Sequence, residues 1–277
     1  MARRLQQRDA HGPTRTRRQP NPVRPRKQDA RDYERAMRRT YLNPMFRQLR
    51  KRLATAEGAT QAYHAMDEVV GDIIAQPRAG VPTAEIQRAL NRMRGYHRKR
   101  VIETFRAALG VDIRPVLAEV PVNLFMARAL DEQVDLIKTI PTRMHDGLRR
   151  RLRDALEEAP FDQKFVTDIV RDEYKVSGFN LRRIVRDNGN KTIGRLTQIR
   201  QTQLGVDQFQ WLTSQDEAVR PEHVARSGIA YYWSAPPDGE IPGQPILCRC
   251  VAIPIVTQAL RDRLADAEAH SITGIAA

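Results

Sequence analysis

Trp211-Leu-Thr-Ser-Gln-Asp216, Arg220-Pro-Glu-His223, Trp233-Ser-Ala-Pro-Pro237, Pro242-Gly243 and Cys248-Arg-Cys250 crowd into residues 211–250, and the stretch holds both tryptophans and both cysteines of the chain. Past Gly205 the apolar spacing changes from helical to extended. Phe209, Trp211 and Leu212 predict one short strand, and Tyr231, Tyr232 and Trp233 a second. A third candidate runs from Cys248 to Val256, where Pro254 confines it to an edge or an end. Pro236, Pro237, Gly239, Pro242, Gly243 and Pro245 make the intervening segment turn-rich. The stretch therefore predicts a small module of short strands and turns, with Trp211 and Trp233 as core aromatics.

Upstream the chain reads as helix. Tyr33, Met37, Tyr41 and Leu42 recur at helical spacing from Asp32 onward, followed after Pro44 by Met45, Phe46, Leu49 and Leu53. Tyr63, Met66, Val69, Val70, Ile73 and Ile74 continue the period. Pro77, Gly80 and Pro82 predict a loop, and Thr83 an N-cap for a helix carrying Ile86, Leu90, Met93, Val101, Ile102, Phe105 and Leu109 and closed by Gly110. Pro115 and Pro121 punctuate a connection. Leu124 to Ile140 predicts a helix ending at Pro141, with further helices at about 142–158 and 162–174, a break at Ser177–Asn180, and another helix from Leu181 to about Leu204. A short polar helix follows from about Thr257 to Ala269. The fold class expected is α+β: a long, mostly α-helical N-terminal part, then a small α+β module. The expected division is a basic arm at 1–30, a helical region at 31–177, the module at 178–256, and a short helix with a flexible tail at 257–277.

The chain carries a net charge of +14, unevenly placed. Residues 1–30 hold nine basic and two acidic groups, residues 31–106 sixteen and eight, and residues 107–277 twenty-two and twenty-three. The excess thus lies wholly in the first 106 residues and predicts attraction to a polyanion. Residues 1–30 are Arg, Pro, Gln and Thr with little to bury, which predicts a disordered arm. Its Arg3, Arg4, Arg15, Arg17, Arg18, Arg24, Arg26 and Lys27 are candidate phosphate contacts, acting through counterion release. A solubilising tail is the competing reading. Arg98-Lys99-Arg100 and Arg149-Arg150-Arg151 extend such a surface or form solvated helix faces. No apolar run approaches the roughly 20 residues that cross a bilayer, and the basic start has no apolar segment behind it to make a secretory signal. Two cysteines one residue apart make no disulfide framework, which points to a reducing compartment.

In an extended strand Cys248 and Cys250 share a face, with Cα atoms about 6.5–7 Å apart, at or beyond disulfide reach. Two sulfurs so placed suit a shared metal, and His223 and Asp216 supply legitimate nitrogen and oxygen ligands for Zn²⁺. The competing reading makes the cysteines small core hydrophobes and His223 an ordinary hydrogen-bonding side chain. Catalytic motifs are absent: there is no G-x-S-x-G elbow, no H-E-x-x-H, and Gly189-Asn-Lys191-Thr192 lacks the upstream glycine of a phosphate loop. The expectation is a protein that is not an enzyme.

Taken together, Trp211-x-Thr-Ser-x-Asp216-Glu-x-Val-Arg220-Pro-x-His223, Trp233-x-x-Pro-Pro237, Pro242-Gly243 and Cys248-Arg-Cys250 resemble the phage Mu F-like head morphogenesis (minor capsid) family. Arg186-Asp187, Lys191, Leu196-Thr197-Gln198 and Arg200-Gln201-x-x-Leu204-Gly205 are similar to the helix that precedes the domain in that family. Ala108-Leu109-Gly110-Val111-Asp112 and Leu136-Ile137-x-x-Ile140-Pro141 are similar to its helical region. The likeness is specific over 181–256 and looser over 100–180. It implies a structural protein of tailed-phage or prophage heads, with the portal and the major capsid or scaffold proteins as partners. It also implies a place in the virion, at the head interior or portal vertex, and in the host cytoplasm during assembly and DNA packaging. The chain departs from the family at three points. Arg220 and His223 stand where many relatives carry C-x-x-C, Pro245-Ile246-Leu247 precedes the cysteines where relatives have His-Pro-x, and Ser227-Gly228 replaces an Asp-Gly. The alternatives are a nucleic-acid-binding protein acting outside the virion and a toxin or effector-related module; the expected lack of room for a second domain after residue 256 speaks against the latter.

Overall fold

A computed structural model describes residues 19–75, 80–158 and 160–273. The helices are α1 Lys27–Met37, α2 Asn43–Leu53, α3 Ala59–Ala75, α4 Thr83–Leu109, α5 Val120–Glu158, α6 Gln163–Gln203, α7 Pro221–Arg226 and α8 Gln258–Thr273. The strands are β1 Gln208–Leu212, β2 Ala230–Tyr232 and β3 Val251–Ile255. Long helices followed by a small antiparallel sheet make the fold α+β, as expected. Among the described residues no helix is long and apolar enough to cross a membrane. The described residues divide into two compact units that are discontinuous in sequence, one formed by those of 27–89 and 128–186, the other by those of 19–26, 90–127 and 187–273. The helices α4, α5 and α6 each contribute to both.

The first unit is all helix. Between α1 and α2 the chain makes a π-helical turn at Arg38–Leu42, where the Asn43 N–H bonds the Arg38 carbonyl five residues back. Pro44 follows at once, in the first turn of α2, where a missing N–H costs least. Tyr33, Met37, Leu42, Phe46, Leu49, Met66, Val70 and Ile86 are almost fully buried. Each such side chain contributes roughly 1.5–3 kcal/mol of apolar transfer. The Tyr33 hydroxyl donates to Gln133 Oε1 at 2.9 Å, which satisfies both buried groups.

Two expected helix ends are not ends. Pro141 lies inside α5, which runs on to Glu158. A proline in a helix interior costs about 3 kcal/mol, but Ile137, Ile140, Met144 and Leu148 keep one buried stripe across it, and their packing outweighs the loss. The break expected at Ser177–Asn180 is likewise absent, and α6 runs unbroken through it. The buried stripe Val166, Val170, Leu181 and Val185 carries the helix past. Gly178 serves packing instead: a Cβ there would sit 2.6 Å from both terminal nitrogens of Arg38.

The second unit contains the sheet, in the order β2-β1-β3, all antiparallel. Central β1 pairs Phe209 with Tyr231 on one side and with Pro254 on the other. Pro254 therefore lies on an edge strand, where the ladder needs no donor from it. The cysteines precede β3 rather than opening it, since the strand begins at Val251. Helix α6 ends in a Gly205 of φ 76°, with the Val206 N–H bonded back to the Gln201 carbonyl, a left-handed cap that favours glycine. From α8, Leu260 and Leu264 are buried and Arg263 donates to the Leu204 carbonyl at 3.1 Å.

Residues 1–18 of the expected basic arm, with Arg3, Arg4, Arg15, Arg17 and Arg18, lie outside the described residues. Residues 19–26 pack on the second unit. Gln19 exchanges two hydrogen bonds with the Val256 backbone, Val23 is buried, and the Arg24 carbonyl accepts from the Tyr96 hydroxyl. Helix α1 starts at Lys27, five residues before the onset expected at Asp32. Its buried positions Asp29, Tyr33 and Met37 recur every four residues, an inward stripe that the run of arginines conceals in the sequence.

Candidate functional site

The site is built on α6. Gly194 and Gly243 meet with their Cα atoms close together: a Cβ on Gly194 would overlap the Pro242 carbonyl oxygen and lie 3.5 Å from the Gly243 Cα. Two glycines are what let the Pro242-Gly243 turn approach the helix this closely. Asn190 donates to the Cys248 carbonyl at 2.9 Å, Asp187 accepts from the Leu247 N–H at 2.5 Å, and Gln244 donates to the Lys191 carbonyl at 2.9 Å. Gln201 bonds the Ala252 carbonyl and accepts from the Trp233 indole N–H. Leu247, just before the first cysteine, takes a left-handed backbone, φ 57°. The polar residues of α6 thus anchor the cysteine loop.

Cys248 and Cys250 join Phe209, Trp211, Trp233, Ile241 and Ala252 in one buried cluster. Phe209 stacks on Trp233 at 4.1 Å between centroids, and Trp211 meets the His223 ring edge-on at 5.3 Å. Helix α7 delivers His223, 2% exposed, so that Nδ1 lies 3.6 Å from Cys248 Sγ and 3.5 Å from Cys250 Sγ. His223, Cys248 and Cys250 are the group of three or more potential ligands that the described residues bring within 4.8 Å of one another. Three of the four residues singled out as metal ligands therefore converge. Asp216 does not join them: both its oxygens are taken by the Arg249 guanidinium in a two-pronged pair near the surface. That pair, first among its causes, holds the Asp216 carboxyl below its usual range.

The residues around the triad carry no sequence motif. Glu240 Oε2 lies 3.7 Å from His223 Nε2 and 2.6 Å from Arg226. Arg226, itself buried, also pairs with Asp238 at 2.6 Å and lies 5.1 Å above the Trp211 ring. Hydrogen bonding with the Cys250 thiol, with help from the backbone N–H groups of Cys250 and Gly243, holds the Cys248 thiol below the usual cysteine range. Cys250 moves the other way, raised by the same shared bond and by burial. The Trp211 Nε1 is fully buried without a hydrogen-bond partner of nitrogen or oxygen. It faces the Cys250 sulfur.

A second buried polar cluster lies where α4 meets α6. Arg200 donates to His97 Nδ1 at 2.8 Å, and His97 Nε2 lies 2.9 Å from Thr197 Oγ1, which itself donates to the Ile193 carbonyl. Glu119 gathers Arg94, Arg98 and Arg200 at 2.6, 3.2 and 3.8 Å.

The described members of the basic arm are exposed but not equivalent. Arg26 stacks over the Tyr96 ring at 4.4 Å, Arg24 is held through its carbonyl, and Lys27 opens α1. The two arginine clusters are largely paired within the chain. Arg98 binds Glu119, Lys99 and Arg100 bind Glu103, Arg149 approaches Asp67, and Arg151 approaches Glu173.

A helical platform that anchors a three-stranded, cysteine-bearing module is the class of protein this fold and site define. Residues 146–253 match the family model described as Phage Mu protein F like protein. That segment, from the second half of α5 to β3, matches the Mu F-like family model, which bears out the resemblance read from the motifs. The match starts further upstream than the specific likeness over 181–256. An "Uncharacterized protein" of Haemophilus influenzae (strain ATCC 51907 / DSM 11121 / KW20 / Rd) is 29% identical over 149 residues, covering 53% of this chain and 33% of the relative. The chain thus spans about a third of the length of that relative. No solved structure matches it.

Proposed function

We propose that this protein is a structural, non-enzymatic phage head morphogenesis (minor capsid) protein, encoded by a phage or prophage and built into the virion. It associates with the portal and the capsid interior, in contact with major capsid or scaffold proteins, during head assembly and DNA packaging. It passes through the host cytoplasm before the head closes. The observation that carries the reading is the Mu F-like match over residues 146–253, which takes in helix α6, strands β1 and β2 and the cysteine loop. The charge asymmetry adds a role for the N-terminal arm, which meets packaged DNA or an acidic inner surface.

The test is cofractionation. Heads purified by density gradient from induced cells should contain the chain at a fixed, low ratio to portal, and a knockout should give defective heads. A chain found wholly in the soluble fraction, with normal heads in its absence, overturns the proposal and favours nucleic-acid binding outside the virion.

A further inference from the structure

The three buried ligand atoms around His223 Nδ1 are spaced as a metal ion would hold them. Two sulfurs converge on one imidazole nitrogen, at 3.5 and 3.6 Å. A neutral imidazole nitrogen without a proton has a single lone pair and accepts one thiol, not two. A cation would engage all three ligand atoms at once. Tetrahedral Zn²⁺ with N at 2.0–2.1 Å and S at about 2.3 Å places nitrogen and sulfur about 3.6 Å apart, which is the spacing found. The surroundings agree. Glu240 lies nearest Nε2, at 3.7 Å, on the side of the ring away from Nδ1, where the carboxylates that orient metal-bound histidines sit. The Trp211 Nε1 has no oxygen or nitrogen acceptor and faces Cys250, and a metal-bound thiolate is the acceptor it lacks. The backbone N–H of Cys250 is directed at Cys248 Sγ at 3.4 Å, a further donor to a thiolate sulfur.

We propose that His223 Nδ1, Cys248 Sγ and Cys250 Sγ bind one Zn²⁺ ion, which ties α7 and the cysteine loop to the Trp211 face of β1. Binding forms two Zn–S bonds and one Zn–N bond and releases the two thiol protons to solvent. The fourth position belongs to a water molecule, because Asp216 is committed to Arg249. The ion's role is structural: it cross-links segments separated by 25 and 27 residues in a module with only three short strands.

Elemental analysis of the full chain, purified under reducing conditions, should give about one zinc per chain. After chelation, Co²⁺ titration of the wild type should restore the visible bands of a tetrahedral site with thiolate-to-metal charge transfer. Asp216→Asn should retain the metal, whereas His223→Gln and Cys250→Ser should each lose it. Glu240→Gln should keep the stoichiometry but weaken affinity ~10–100-fold. Wild-type protein that is metal-free, develops no Co²⁺ spectrum and melts unchanged in chelator overturns the proposal, as does a Cys248–Cys250 disulfide found by mass in that protein. Metal loss in Asp216→Asn with retention in a folded Cys250→Ser variant also overturns it. The wild-type titration decides the matter even where a ligand variant fails to fold.

Discussion

His97 is a histidine that the folded protein needs neutral. Its Nδ1 accepts from Arg200, so Nε2 carries the proton and serves Thr197. Burial, then the Arg200 charge, drives its pKa well below the ordinary 6.5. The charges that face this cluster are Arg94, Arg98, Arg200 and Glu119, and three cations against one anion leave no site for an imidazolium. The direction of the pH effect follows. As pH falls through about 6.5 the unfolded chain binds a proton at this residue and the folded chain does not. Stability contributed by neutral His97 is therefore complete above that pH and declines below it, by up to about 1.4 kcal/mol per pH unit from this single group. Urea denaturation at pH 7.5, 6.5 and 5.5 should show the decline in the wild type, and His97→Gln should show a shallower slope. Equal slopes would contradict the assignment. Arg226 makes a second case. It is buried and paired with Asp238 and Glu240, so Arg226→Met strands Glu240 beside His223 and removes the cover from Trp211. Cutting one partner from such a pair costs about 3–5 kcal/mol when the pair is fully buried. Asp238 is largely exposed here and Glu240 partly so, which lowers the expected loss to roughly 1–2 kcal/mol, measurable as a fall in melting temperature.

At the scale of elements, glycines report which contacts the helices need. Gly194 faces backbone, the Pro242 carbonyl, whereas Gly178 faces the flexible end of Arg38. Gly194→Ala must move the cysteine loop, and overpacking of this kind costs about 1–3 kcal/mol. Gly178→Ala displaces only a guanidinium and gains helix propensity worth up to about 1 kcal/mol, so its net change should be under 1 kcal/mol. Paired melting curves check the contrast, and equal losses would refute it. The same contrast explains what could be read in advance. Helix α4 was legible to within a residue, because Thr83 and Gly110 (φ 75°) mark its termini locally, although Thr83 opens the helix and does not cap it, its hydroxyl donating to the Val81 carbonyl. The run of α6 through Ser177–Asn180 was not, because Gly178 answers to Arg38, distant in sequence. In the site, His223, Cys248 and Cys250 declared themselves by residue type. Asp216 misled because Arg249, lodged between the two cysteines, outcompetes them for it. Glu240 and Arg226 carried no spacing signal at all, since their roles arise only when α7 and the loop meet.

For the whole molecule, charge decides more than shape. Arg98, Lys99, Arg100, Arg149 and Arg151 have intramolecular partners in Glu119, Glu103, Asp67 and Glu173. Residues 1–18 carry Arg3, Arg4, Arg8, Arg15, Arg17 and Arg18 against Asp9 alone, a dense run of like charge in the sequence. The fold also says where to cut. A chain beginning at Asp32 would lose Gln19 and Val23 from the second unit and the first turn of α1, and so would confound binding with unfolding. A chain beginning at Gln19 removes six arginines and keeps those contacts. If the arm meets DNA, the full chain should shift duplex DNA with an affinity that falls about a thousandfold between ~50 and ~200 mM salt when all six are engaged. The chain beginning at Gln19 should bind far more weakly, with a shallower salt slope and an unchanged melting temperature. Equal mobility shifts and equal salt slopes for the two chains would leave the arm no part in DNA contact and return the excess charge to a solubilising role.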